Sequence, residues 1–222
     1  MAVTMLEAIR AVREMLDESS ARAWRDLELA RWINEGCKEI AKATESLQET
    51  FTTAVTAGTR SYELPDNMIR VTRIDFVPDA TNQPVALEYK AFQNPEAVQW
   101  AGNTEGMPFC YTTWGRPGSV QLILYPSPSY DGDLNVYYYR LPIPPATPAD
   151  TLDIPEGWEN TVYLYAEYVA LRRDRQAEWQ AAKALFDESL AALYDMTRRH
   201  SDQSDAMSIP GPAINQWLYE MD

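Results

Sequence analysis

Apolar positions recur every three or four residues at both ends of this chain, and every second residue through much of its middle. The first pattern is that of helices buried on one face, the second that of half-buried strands. Thr4 and Glu7 stand at capping-box spacing, and Leu6, Ile9, Val12 and Leu16 follow on roughly one face, which predicts a first helix. Residues 19–25 interrupt it, and Asp26 is a good N-cap for the next. From there Ala30, Ile33, Cys37, Ile40, Thr44 and Leu47 form a narrow seam suited to packing between long helices. The seam is too short for an independent coiled coil, so it predicts the core of an intramolecular bundle.

The period changes near Glu49. Residues 50–56 are rich in Thr, Phe and Val, and Ala57-Gly58-Thr59 marks a turn. A short strand ends at Tyr62-Glu63-Leu64-Pro65, because proline cannot donate within a sheet ladder. Further strands are predicted over 69–77, 84–89, 111–114, 119–125 and 134–141, with a short helix over 95–100 and turns over 115–118 and 127–132. Strands of this length and spacing suggest a small barrel or sandwich.

Helix returns near Pro155, a natural first helical position, with Trp158, Val162, Tyr165 and Val169 as its buried stripe. The run 172–175 holds a break, with Asp174 capping a last helix to about Arg199 that buries Ala182, Leu185, Phe186, Ser189 and Leu193. The expected fold class is therefore α+β. A four-helix bundle, built from two N-terminal and two C-terminal helices, carries an inserted small β-barrel or sandwich and an extended C-terminal tail. In sequence, 1–48 plus 156–199 make a discontinuous helical bundle, 49–155 an inserted β-rich domain, and 200–222 the tail.

Charge narrows the function. Nineteen basic residues against 33 acidic give −14 over 222 residues, and no segment is basic. A chain so balanced is not built to grip nucleic acid by neutralising phosphates, although DNA could slide past it. Nothing approaches the roughly 20 apolar residues of a membrane span, and Glu7, Arg10, Arg13 and Glu14 rule out a signal peptide at the N-terminus. Cys37 and Cys110 read as small apolar residues of a protein kept in a reducing cytosol.

Catalytic parts are missing from the inventory. The one histidine, His200, lies beside Arg198 and Arg199 with no nominated nucleophile, and reads as a charged cap at a helix C-terminus. No phosphate-cradling glycine loop occurs, and one histidine with two distant cysteines cannot furnish a typical metal site. No enzyme activity and no metal or cofactor is expected. Trp100, Tyr111, Trp114, Tyr125 and Tyr137-Tyr138-Tyr139 crowd the β region, which raises a carbohydrate-binding module as an alternative. Three consecutive tyrosines, however, face both sides of a strand and make no single platform.

Four ordered stretches resemble the head-to-tail adaptor (connector) proteins of tailed bacteriophages. They are Trp24-Arg25-Asp26-Leu27-Glu28-Leu29 running into Trp32-Ile33-Asn34-Glu35; Tyr62-Glu63-Leu64-Pro65 before Ile69-Arg70-Val71; Gly106-Met107-Pro108 and Tyr111 before Leu122-Ile123-Leu124-Tyr125-Pro126-Ser127-Pro128; and Leu134-Asn135-Val136-Tyr137-Tyr138-Tyr139 before Asp153-Ile154-Pro155. The resemblance implies a structural virion protein made in the host cytoplasm and placed at the capsid vertex. It implies a homo-oligomeric ring of about twelve subunits that docks on the portal protein, prolongs the channel for duplex DNA, and presents a platform for tail or nozzle proteins. Another ring component of the tail or nozzle is the nearest alternative.

The last residues add a candidate contact. Residues 201–208 are small and polar and read as a flexible linker, after which Ile209-Pro210-Gly211-Pro212 stiffens the chain. Ile209, Ile214, Trp217, Leu218 and Tyr219 then gather beyond it, with four acids and no Lys or Arg from His200 onward. Such an apolar group needs burial. It either folds back on its own domain or docks on a neighbouring subunit or the portal, with Trp217 and Tyr219 as anchors. Docking predicts a basic rim around the receiving groove.

Overall fold

Thr4 opens the first helix as its spacing predicts. Its N–H donates to the Glu7 carboxylate at 2.8 Å, and Glu7 N–H donates back to Thr4 Oγ1 at 3.3 Å. The computed structural model describes residues 2–18, 23–91, 105–116 and 119–206. Helix α1 (Met5–Met15) buries Ile9 and Val12 as expected, with Leu16 packed partly buried just beyond it, whereas Leu6 is exposed and Met5 and Ala8 are buried in its stead. The buried Arg13 donates to Glu18 at 2.8 Å, to the Trp24 carbonyl at 2.8 Å and to Asp26 at 2.6 Å. One cation thus organises the connection into α2 (Asp26–Thr44). Arg25, not Asp26, is the N-cap, and its N–H donates to Glu28 at 3.2 Å. The α2 seam is broader than the sequence suggests, adding Leu29, Trp32, Gly36 and Ala41 to Ile33, Cys37, Ile40 and Thr44. Glu45 takes a left-handed conformation (φ 48°) and ends the helix.

Strands follow. β1 (Gln48–Val55), β10 (Gly132–Arg140), β3 (Met68–Pro78) and β4 (Val85–Ala86) form an antiparallel sheet in that spatial order. β2 (Ser61–Glu63), β8 (Ser119–Tyr125), β7 (Cys110–Arg116) and β5 (Glu88–Tyr89) form a second, in which β5 runs parallel to β7. β6 (Glu105–Gly106) and β9 (Ser127–Pro128) pair in parallel, so part of the stretch expected as a turn is sheet. Among the described residues no sheet closes into a barrel. Instead the two four-stranded sheets share one apolar cluster: Ile74, Phe76, Leu134 and Val136 from the first meet Tyr111, Leu122 and Leu124 from the second. The pleat separates the consecutive tyrosines as anticipated, with Tyr138 buried and Tyr137 exposed. The short helix expected over 95–100 lies outside the described residues.

The chain becomes helical again later than expected. Gly157 has φ 91°, which no helix accommodates, so α3 (Glu159–Arg173) begins after Trp158 rather than at Pro155. Asp174 closes α3 instead of opening its successor, because Arg175 is left-handed (φ 56°). Helix α4 (Trp179–Ala206) then runs for 28 residues, so His200 is not at a helix end and most of the expected linker is helical. It buries Ala182 and Phe186 and half-buries Ser189 and Leu193. Leu185 is 54% exposed, lying one helical step off the covered stripe.

The helices share a second apolar cluster in which Leu29, Ile33 and Ile40 of α2 meet Val162, Ala166 and Ala170 of α3, with Phe186 of α4 and Val12 of α1. Alanines along α3 let α2 come close. A Cβ on Gly36 would lie 3.1 Å from Tyr165 Cδ1, and Tyr165 in turn meets Phe186 edge-on at 5.2 Å.

Candidate functional site

Five separate stretches of chain converge where the helices meet the first sheet, and they enclose an open cleft of roughly 1070 Å³. The C-terminal end of α2 supplies Lys42, β3 supplies Arg70, β10 supplies Tyr139, and α4 supplies Tyr194 and Arg198; Trp158 forms part of the wall. Local rules place these groups. The left-handed Glu45 turns the chain from α2 toward β1 and leaves its own carboxylate facing β3. Arg70 Nε donates to Glu45 Oε1 at 2.8 Å, its second nitrogen binds Oε2, and its Cζ sits 5.3 Å from the Tyr139 ring centroid. The hydrogen bond to Glu45 holds the Arg70 guanidinium above its usual pKa.

The lining carries three cations, Lys42, Arg70 and Arg198, against one carboxylate, Glu45, a local balance of +2 in a chain of −14. Lys42 also reaches Glu39 at 2.8 Å, outside the lining. Arg198, Tyr194 and Met196 are exposed on the α4 wall. Nothing in this set pairs a nucleophile with a base. It is a surface that offers cations and aromatic edges to an anionic, partly apolar ligand.

Beside the cleft, a second cluster joins the borders of the β region. Arg140, at the end of β10, binds both oxygens of Asp153, one of them through its second nitrogen at 3.2 Å. The guanidinium Nε lies 3.0 Å from Glu49 without hydrogen-bond alignment, and Asp153 also accepts from Ile143 N–H at 2.8 Å. Burial alone would raise the Asp153 carboxyl, but the hydrogen bonds from Arg140 and Ile143 outweigh it and hold it below the usual aspartate range.

The anchors expected in the tail, Ile209, Ile214, Trp217, Leu218 and Tyr219, lie outside the described residues, as does Trp100. The other aromatics divide. Tyr111, Tyr125 and Tyr138 are core residues, while Trp114 is 58% exposed. Both cysteines are buried free thiols, and burial pushes Cys37 up to about 12. No cluster of three or more His, Cys, Asp or Glu suited to a metal occurs among the described residues, and no described helix is long and apolar enough to cross a membrane. The sequence reading missed the cleft, although Arg70 and Tyr139 stood inside two of the stretches it singled out.

Comparison with known proteins adds three findings. Residues 3–212 match the profile of the SU10 adaptor protein family. No curated protein matches. Among solved structures, the chain is similar to one in the neck of an empty GTA particle, computed with C6 symmetry, at 16% identity over 78% of this chain and 84% of that one. The TM-score there is 0.28, too low to support any argument.

Proposed function

The chain belongs to the SU10 adaptor protein family, and from that premise we propose that its subunits form a ring that docks on the portal at the head–tail junction of a virion. The ring prolongs the DNA channel and offers a platform to tail or nozzle proteins, with about twelve subunits if it follows the portal's symmetry. The observation that carries this reading is the family match over nearly the whole chain. Its physical support is a net charge of −14, which keeps passing duplex DNA from sticking.

We read the two apolar clusters as two domains, a discontinuous helical one and an inserted β domain. The helical domain brings its ends together, and the tail beyond it serves as the arm. Ile209, Ile214, Trp217, Leu218 and Tyr219 are its contact residues. The decisive experiment mixes the protein with its cognate portal and images the product. Rings capping the portal are expected. Persistent failure to decorate portals across several salt concentrations sinks the reading, and tight, steeply salt-dependent binding of duplex DNA would overturn the conduit role.

A further inference from the structure

We propose that the cleft between α2, β3, β10 and α4 receives the C-terminal tail, residues 207–222, of a neighbouring copy of this chain. The inference rests on the ring reading above and names the receiving surface for its arm.

Charge selects the occupant. The cleft gathers Lys42, Arg70 and Arg198 around a single carboxylate, while the tail holds Glu220 and Asp222 and no basic residue. An acidic, apolar-aromatic segment and a cleft of net positive charge with tyrosine and tryptophan walls are complementary in both respects. The cations differ in how far they are engaged. Arg70 is held by Glu45 and Lys42 by Glu39 from just outside the lining, whereas Arg198 stands exposed on α4.

The ring reading, rather than reach, selects the neighbour over the same chain. Helix α4 does not end at the cleft: it continues eight residues past Arg198 to Ala206, carrying the chain roughly 12 Å farther along its axis. The 16 residues that follow span at most roughly 55 Å, well beyond this subunit's own cleft. In a ring built from one repeated head-to-tail contact, every cleft is then filled by the preceding subunit's tail.

The test uses two full-length variants. Gln48→Cys puts a thiol on the exposed edge of the cleft, and Gln216→Cys puts one beside Trp217; the native Cys37 and Cys110 are buried and do not compete. The two variants, distinguished by size tags, are mixed and oxidised, both free at high concentration and on portals. A cross-linked heterodimer is expected in both settings. The Lys42→Glu/Arg198→Glu pair, introduced into the Gln48→Cys protein, should cut its yield at least about tenfold. Glu220→Lys/Asp222→Lys in the partner should restore it.

A chain carrying both cysteines that closes on itself, with yield independent of concentration, overturns the proposal in favour of the chain's own tail. Rings that assemble normally without the cross-link overturn it too. So does protection of Gln48→Cys from labelling by duplex DNA but not by added tail-bearing protein. Failure to decorate portals, with the cross-link intact in free protein, sinks the adaptor reading and leaves the cleft assignment standing.

Discussion

Arg140 and Asp153 clamp one another through both terminal nitrogens of the guanidinium, and the pair fastens the end of β10 to the segment that leads into α3. Arg140 N–H also donates to the Leu47 carbonyl at 2.9 Å, just ahead of β1. The point where the chain enters the β region and the point where it leaves are therefore tied through one arginine. The pair is mostly shielded from water, with side-chain exposures of 16% and 27%.

Asp153→Asn should accordingly destabilise the protein by about 2 kcal/mol, since it leaves Arg140 without its strongest partner. The effect has a defined pH dependence. The folded carboxyl is depressed below its ordinary 3.8, so its contribution is complete above that value and is lost as pH falls through the lower folded value. Denaturation midpoints of wild type and Asp153→Asn should differ near neutral pH, begin to approach one another below about pH 4 and meet only once pH has fallen through the lower folded value. A difference that stays constant down to pH 2 would contradict the assignment.

Gly36 makes a second prediction. Its missing Cβ is what lets α2 lie against Tyr165, with the nearest ring atom 3.1 Å from where that carbon would be. Gly36→Val should cost about 2 kcal/mol through overpacking. Gly36→Ala should change stability by less than about 1 kcal/mol, because the gain in helix propensity offsets a smaller displacement of the ring. Equal losses for the two, measured by urea unfolding, would show that the glycine serves some other purpose.

Both thiols should be inert in the native state. Cys37 and Cys110 are buried, and burial holds the Cys37 thiol protonated far above neutral pH. Iodoacetamide at pH 8 should modify neither in folded protein and both in denaturant, as read by intact mass. Rapid native labelling of one site would reveal local opening there.

Much of the architecture was legible because the hydrophobic period itself changes from helical to alternating near Glu49. Strand β8 was placed at Ser119–Tyr125 and α1 from its Thr4–Glu7 cap, both signals carried by neighbouring residues. What escaped were properties of distant pairings. Nothing near Gly132 says that β10 will insert between β1 and β3. Nothing near Leu185 says that the other helices will cover the adjacent Phe186 and leave Leu185 in water. The helix boundaries at Gly157 and Arg175 depend on single left-sided φ values, which outweighed the proline and aspartate signals beside them. The cleft was invisible for a similar reason. Lys42, Arg70, Tyr139 and Arg198 come from four elements, and each alone is an ordinary surface or strand residue. The sequence offered only the expectation that an acidic tail would call for a basic rim.

Deleting residues 208–222 tests that complementarity at the level of assembly. If the tail serves a neighbour, the isolated subunit loses nothing from its own core, and its melting temperature should stay within about 2 °C of wild type. Ring formation on portals should nevertheless be abolished, because each subunit has lost the contact its neighbour's cleft receives. The deletion leaves every described helix and strand intact, so the two readouts are separable. A truncated protein that melts many degrees earlier would place the tail in its own domain. One that melts normally and still caps portals would remove the arm from assembly altogether. The charge pattern adds a control: Glu220→Lys/Asp222→Lys retains every apolar anchor, so it should weaken ring formation less than the deletion and more as salt falls, when repulsion from Lys42 and Arg198 is least screened.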